Sequence, residues 1–255
     1  MKRGSRPLRG AAERCLALRE PQALAACGPH PWIVGYHSCW MEEERLHIQL
    51  ELCGRAASRR VGAGQPLDSA GVVSLLSCVA SALAHLHRSG LAHMDVKPDN
   101  IFEAAPWVGG SAAVPPRSAA TLLLPPHPPR FKLGDLGNAC RMGSAPAADG
   151  DCRYLCNELL RGCFGSLDRA DVFALGLSAV ELATGAPLPK EGQAYKDMRN
   201  GRLGRLPASM SAPLQDLLRK CANAFPANRP SAEALAAHPA LLAPGGGGEA
   251  DKMSP

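Results

Sequence analysis

Between residues 69 and 88 apolar side chains recur at helical spacing, and Val72, Leu75, Leu76, Val79, Leu83 and Leu86 share one face. Residues 170–184 are apolar nearly all round, which predicts a helix buried on every side and closed by Gly185. Leu214, Leu217, Leu218 and Cys221 form the inner face of a third helix, entered through Ser211 as N-cap and Pro213 in its first turn. Ser231 caps a last short helix ending near His238-Pro239. The first fifty residues follow another rhythm. Residues 11–27 are rich in Ala and Leu and predict one helix stopped by Gly28. Ile33-Val34-Gly35-Tyr36 reads as a strand. Leu46, Ile48 and Leu50 alternate with His47, Gln49 and Glu51 as a half-buried strand does, with Met41-Glu42-Glu43-Glu44 as the turn between the two. One helix and two strands followed by a run of helices make a mixed pattern of the α+β class.

Two stretches break the pattern. Residues 103–130 are rich in Pro, Ala and Ser and lie between two short apolar pieces, Ile101-Phe102 and Phe131-Lys132-Leu133; they predict a disordered insertion in a hairpin. The tail from residue 244 carries four glycines and predicts disorder as well. The apolar run at 71–86 is interrupted by Ser74, Ser77, Cys78, Ser81 and His85, which reads as too short and too mixed for a membrane span.

Composition narrows the function classes. The 255 residues carry a net charge of +5 with no dense basic block, so no nucleic-acid partner is expected. Aromatic residues make only 4%, too few for base-stacking platforms. Ten scattered cysteines contain no Cys-x-x-Cys pair, and the expectation is reduced thiols rather than a zinc site or a disulfide framework.

The chemistry concentrates in two segments. His93-Met94-Asp95-Val96-Lys97-Pro98-Asp99-Asn100 sets an Asp five residues before an Asn with a Lys between, and Gly134-Asp135-Leu136-Gly137 follows a strand-like piece. Either alone is a weak signal; in this order, each after a short strand, they resemble the catalytic loop and metal-binding turn of protein kinases. The resemblance implies a bilobal fold with a small sheet lobe and a mainly helical lobe. It implies Asp95 as the base that orients the acceptor hydroxyl and Lys97 as a cation offsetting charge on the moving phosphoryl group. Asn100 and Asp135 would be oxygen ligands of Mg²⁺, and ATP the phosphoryl donor. Glu158 in Asn157-Glu158 and Arg229 in Asn228-Arg229-Pro230 would form a bracing ion pair, and Asp171 would hold the catalytic-loop backbone. The step of 40 residues from Asp95 to Asp135 is long for such kinases, and the Pro-rich insertion accounts for it.

A narrower likeness follows. His93-Met94-Asp95, Asp135-Leu136-Gly137 and Gly150-Asp151-Cys152-Arg153-Tyr154-Leu155-Cys156-Asn157-Glu158 resemble the Wee-type kinases that restrain mitosis. The likeness runs from Lys2 to about Leu242. It implies Lys2 as the lysine on the α/β-phosphates, Glu20 as its helix partner, Leu50 as gatekeeper, and the Glu51 and Cys53 backbones facing adenine. It divides the chain into a partial sheet lobe at 1–53, a helical lobe at 54–243 and a tail at 244–255. The implied substrate is the inhibitory tyrosine of a cyclin-dependent kinase. The resemblance implies a monomeric protein of the nucleus, with the cytoplasm as the alternative, and no membrane partner is expected.

Three departures bear on activity. The strands of a glycine-rich phosphate lid do not precede Lys2, so the sheet is expected to be incomplete. Pro21 directly follows Glu20 and is expected to kink that helix. Met94 stands where many kinases carry the arginine that meets a phosphorylated activation loop, so activation of that kind is not expected. The competing expectation is a pseudokinase or truncated fragment serving as a binding module; a general serine/threonine kinase is a third.

Overall fold

The computed structural model describes residues 1–4, 6–104, 130–146 and 150–242. Its sheet lobe has three antiparallel strands in the order β1-β3-β2: β1 (Lys2–Arg3), β2 (Tyr36–Glu42) and β3 (Arg45–Leu50). Leu46 and Ile48 on β3 are buried, as the alternation predicts. His47 on the other face is buried too, against the expectation of a solvent-facing residue. Its ring stacks on Trp40, with centroids 5.3 Å apart, and the indole shields it from water. Glu42 pairs with Arg45, so the turn narrows to Glu43 and Glu44, both in the left-handed region, and the strand continues through Met41 and Glu42.

The 11–27 segment is not one helix. It divides at Leu18 into α1 (Ala11–Ala17) and α2 (Arg19–Cys27). The break puts Pro21 in the first turn of α2, where a missing N–H removes little, so the expected kink does not arise. Ile33-Val34-Gly35 is also not part of the sheet. Ile33 bridges Leu133, and Val34 N–H donates to Leu133 O at 2.8 Å, which fastens this apolar piece to a hairpin of the other lobe.

That hairpin is β5 (Ile101–Glu103) against β6 (Phe131–Leu133), the two apolar flanks of the Pro-rich stretch. The insertion at 105–129 and the tail from 243 lie outside the described residues. Gly134, just after β6, has no room for a side chain: a Cβ would stand 2.8 Å from Val34 Cγ2 and 3.0 Å from the Phe102 ring. Gly134→Ala is therefore expected to destabilise the fold by about 1–3 kcal/mol through overpacking. Chemical denaturation measures this, and an unchanged midpoint refutes the crowding.

The helical lobe is built on α4 (Ser69–Arg88) and α6 (Leu167–Thr184), which pack together. Asp68 caps α4, its carboxylate accepting from Gly71 N–H at 2.7 Å, and the whole predicted stripe from Val72 to Leu86 is buried. At 20 residues and a mean hydropathy of 1.7, α4 is long and apolar enough to cross a membrane, which corrects the reading of this run as too short. In this fold its apolar window is 61% buried against neighbouring helices. The α6 helix is buried nearly all round and ends at Gly185 with φ 68°, as predicted. The remaining helices are α3 (Ser58–Gly62), α5 (Asn157–Leu160), α7 (Gly192–Arg199), α8 (Ala212–Cys221), α9 (Ala232–Ala236) and α10 (Pro239–Leu242). Ser231 caps α9 with its hydroxyl, whereas Ser211 makes no side-chain cap on α8. A two-stranded ladder, β4 (Leu91–Ala92) with β7 (Cys140–Arg141), connects the loops that carry the site.

Candidate active site

Asp171 enters the core on α6 and organises the loop after β4. Its carboxylate accepts from the backbone N–H of His93 at 2.8 Å and of Met94 at 2.9 Å, and pairs with His87 Nε2 at 2.9 Å. Met94 is held at φ 65°, a conformation rare for a side-chain-bearing residue and kept here by those bonds. His93 is fully buried. Its Nδ1 accepts from Asp95 N–H at 3.2 Å, so Nε2 carries the proton donated to Gly134 O at 3.0 Å. One buried imidazole thus spans from the Asp95 loop to the Asp135 turn.

Asn100 makes the second link. Its side-chain amide nitrogen donates to the Asp95 backbone oxygen and to Asp95 Oδ2, both at 2.9 Å, and its backbone carbonyl accepts from Gly134 N–H at 2.9 Å. Lys97 Nζ lies 2.9 Å from Asp95 Oδ1 and 2.8 Å from Oδ2. Asp95, Lys97 and Asn100 therefore form one cluster, joined through Asn100 and His93 to the turn that bears Asp135.

Lys2 closes the opposite side. Its ammonium lies 2.7 Å from Glu20 Oε2 and 3.0 Å from Asp135 Oδ1. The β1–β3 register, with Lys2 opposite Ile48, aims the side chain past the sheet at α2. Burial works against the Lys2 charge, yet the two carboxylates together outweigh it and hold the ammonium above its ordinary range. Burial likewise opposes the Asp135 charge, but Lys2 and the Gly137 N–H keep that carboxyl below its usual range. Glu20 is more deeply buried, and desolvation pushes its carboxyl up in spite of Lys2.

The oxygen set suits Mg²⁺. Both donor bonds of the Asn100 amide nitrogen go to Asp95, which leaves Asn100 Oδ1 and the Asp135 carboxylate as hard oxygen donors near the turn. Among the described residues no group of three His, Cys, Asp or Glu side chains is arranged as a metal cage. One carboxylate and one amide fit an ion that keeps waters and takes substrate phosphates as its other ligands.

After Leu50 the chain leaves the sheet, and Leu50, Glu51 and Cys53 run along the connection to the helical lobe, half-buried, with Leu52 exposed. The sequence reading gave Glu51 only a backbone role. Its side chain also accepts from Gly35 N–H at 2.9 Å and pairs with Lys132 Nζ at 2.7 Å, anchoring the connection to β6.

Glu158 and Arg229 meet as a bidentate pair at 2.5 and 3.1 Å, and the guanidinium lies 4.7 Å over the Phe173 ring. A second network escaped the sequence reading. Asp151 is gripped by Arg153 at 2.6 Å, Arg153 approaches Glu181 at 3.8 Å, and the Tyr154 hydroxyl bonds Glu181. Arg153 holds the Asp151 carboxyl below its ordinary range. Only the long sequence separation between Tyr154 and Glu181 hid this contact. Gly150 brings the segment against the catalytic loop, since a Cβ there would stand 2.9 Å from Met94 O.

A family model for the protein kinase domain matches residues 7–241. The chain belongs to the protein kinase family. The matched span begins after Lys2, so the position of Lys2 rests on the geometry above. This kinase domain is similar to Wee1-like protein kinase 2 of Danio rerio, 35% identical over 252 residues, 94% of this chain and 46% of that protein. It is 36% identical over 241 residues to the Wee1-like protein kinase of Arabidopsis thaliana, covering 94% of this chain and 43% of the relative. Wee1-like protein kinase 1-B of Xenopus laevis is 34% identical over 247 residues, 95% of this chain and 41% of that protein. The chain thus spans less than half the length of these curated relatives. The Wee-type likeness read from the motifs and the bilobal fold agree with these matches.

Proposed function

We propose that this kinase domain transfers the γ-phosphoryl group of ATP to the inhibitory tyrosine of a cyclin-dependent kinase, and so restrains mitotic entry. The observation that carries the reading is the joining of Lys2, Glu20 and Asp135 on one side to Asp95, Lys97 and Asn100 on the other, through Gly134 and the buried His93. The pseudokinase alternative is weakened because none of these six residues is replaced.

In this mechanism the acceptor oxygen forms a bond to the γ-phosphorus, the bond from that phosphorus to the ADP oxygen breaks, and the hydroxyl proton goes to Asp95. Lys97, already against Asp95, offsets negative charge on the transferred group. Lys2, oriented by Glu20, meets the α/β-phosphates, a role that moves it off Asp135. Asn100 Oδ1 and Asp135 would hold Mg²⁺, which when bound neutralises phosphate charge. His93 and Asp171 fix the two loops so that little reorganisation precedes transfer. The tyrosine acceptor, the cyclin-dependent kinase and a nuclear location come from the Wee-type resemblance.

Incubation with Mg-ATP and a cyclin-dependent kinase–cyclin complex, followed by mass spectrometry of the substrate, tests the reading. Phosphotyrosine at the inhibitory site is expected, and Mg-ATP is expected to raise the melting temperature. Phosphoserine or phosphothreonine alone would replace the tyrosine reading with the general kinase one. No transfer and no Mg-ATP stabilisation would favour the binding module. Imaging of a tagged chain checks the nuclear placement.

A further inference from the structure

Arg199, the last residue of α7, is 3% exposed, yet among the described residues no carboxylate pairs with its guanidinium. Asp197, the acid on the same helix, pairs with Arg202 instead, at 3.0 Å. The Arg199 Nε is buried without a hydrogen-bond partner. Burial pulls the guanidinium below its ordinary range in spite of the Tyr195 phenol beside it. Burying a cation without an acid is costly, so what its fork grips carries information.

The fork grips the segment that runs past Asp95. One terminal nitrogen donates to the Cys152 backbone oxygen and the other to Tyr195 O at 3.0 Å. The guanidinium lies 3.3 Å over the Tyr195 ring, and the phenol donates to the same Cys152 oxygen at 3.4 Å. The Arg199 backbone carbonyl accepts from the Asn157 side-chain amide at 3.1 Å. The last turn of α7 therefore holds this segment at Cys152 and again at Asn157. Asp151 and Tyr154 are fastened inward instead, through Arg153 and Glu181.

This segment is a wall of the transfer site. At Gly150 a Cβ would stand 2.9 Å from Met94 O and 3.6 Å from Asp95 Oδ1. Asp151 and Leu155 line one cavity together with Asp95. Arg153 and, more weakly, Lys97 hold the Asp151 carboxyl below its ordinary range, which places the segment within reach of the Lys97 charge. An acceptor hydroxyl that reaches Asp95 brings its flanking chain across this wall.

We infer that Arg199 is a positioning residue for the protein substrate: from α7 it fixes residues 151–156 beside Asp95, and so sets how tightly the chain around the acceptor is bound. The inference rests on the phosphoryl transfer to a protein hydroxyl proposed above. Arg199 meets neither the nucleotide nor the reacting oxygen. Its loss is therefore felt in substrate binding, not in nucleotide binding or bond breaking.

Steady-state kinetics with a cyclin-dependent kinase–cyclin complex, set beside hydrogen exchange of the full chain, test this. Arg199→Met is expected to raise KM for the protein substrate about tenfold, while kcat and KM for ATP stay within about twofold of native. Arg199→Lys keeps a cation but not the fork and should recover only part of the loss. Tyr195→Leu removes the ring and the phenol, leaves the guanidinium in place, and should move the substrate KM the same way by less. Exchange at 152–156 should quicken in Arg199→Met and Tyr195→Leu, and exchange in α6 should not. A lower kcat or a raised KM for ATP, with the substrate KM unchanged in both variants, overturns the positioning role and leaves Arg199 as support for the fold. Unchanged exchange at 152–156 in both variants overturns the hold itself. A native chain that transfers no phosphate, beside variants with the faster exchange, would overturn the proposed function while supporting the hold.

Discussion

Asp95→Asn lowers the rate of phosphoryl transfer by about 10²- to 10⁴-fold and leaves Mg-ATP affinity nearly unchanged. The asparagine keeps an oxygen for the Asn100 amide, which now donates to Asp95 Oδ2 at 2.9 Å, so the loop stays in place. It cannot take the acceptor proton, and it no longer holds Lys97 by charge, a contact of 2.8 Å in the native site. The substitution leaves the contacts of Lys2 with Glu20 and Asp135 intact, so nucleotide affinity survives. Single-turnover rates with a tyrosine substrate, set beside calorimetric Mg-ATP binding, separate the two quantities. A variant that transfers at the native rate would remove Asp95 from the chemistry and with it the proposed mechanism.

Arg229→Met is expected to destabilise the helical lobe by about 3–5 kcal/mol, because it leaves the mostly buried Glu158 charge without its cation. The guanidinium also donates to the Asn223, Ala224 and Arg169 carbonyls, so the loss reaches beyond one ion pair. In the native protein burial opposes the Glu158 charge, but Arg229 outweighs it and keeps the carboxyl below its ordinary range. The sign of the pH effect follows. A lowered folded pKa adds stability that is present above the unfolded carboxyl's pKa and is lost as pH falls through the folded value. In Arg229→Met the buried carboxyl is raised instead, so this residue's contribution reverses and the penalty shrinks as acid protonates it. Adding Glu158→Gln should recover part of the stability at neutral pH. Denaturant midpoints from pH 4 to 8 provide the comparison; equal midpoints for native and Arg229→Met at pH 7 would show that the pair carries no stability.

Much of the fold was readable in periodicity. The α4 stripe and the all-round burial of α6 depend on which residue types recur at helical spacing, and side-chain transfer from water acts on each position in much the same way wherever the helix packs. Misreadings gathered where a distant partner decided the outcome. His47 sits on the polar phase of its strand, yet Trp40 covers it. Ile33-Val34 has strand composition, yet its hydrogen-bonding partner is Leu133 in the other lobe. Pro21 looked disruptive until the break at Leu18 moved it into a first turn.

The candidate site divides the same way. Asp95, Lys97, Asn100 and Asp135 were legible because a short loop and a tight turn hold fixed residue types at short spacing. The His93 link to Gly134, the Glu51–Lys132 anchor and the Tyr154–Glu181 bond were not. By itself the amino-acid order determined the elements, the family likeness and the chemical identity of the reacting groups, since these follow from local propensity and residue type. Tertiary structure alone decided which charges face each other and how deeply each is buried. Those are questions of distance, burial and dielectric between residues far apart in the chain, and Coulomb energies at a few ångströms depend on all three.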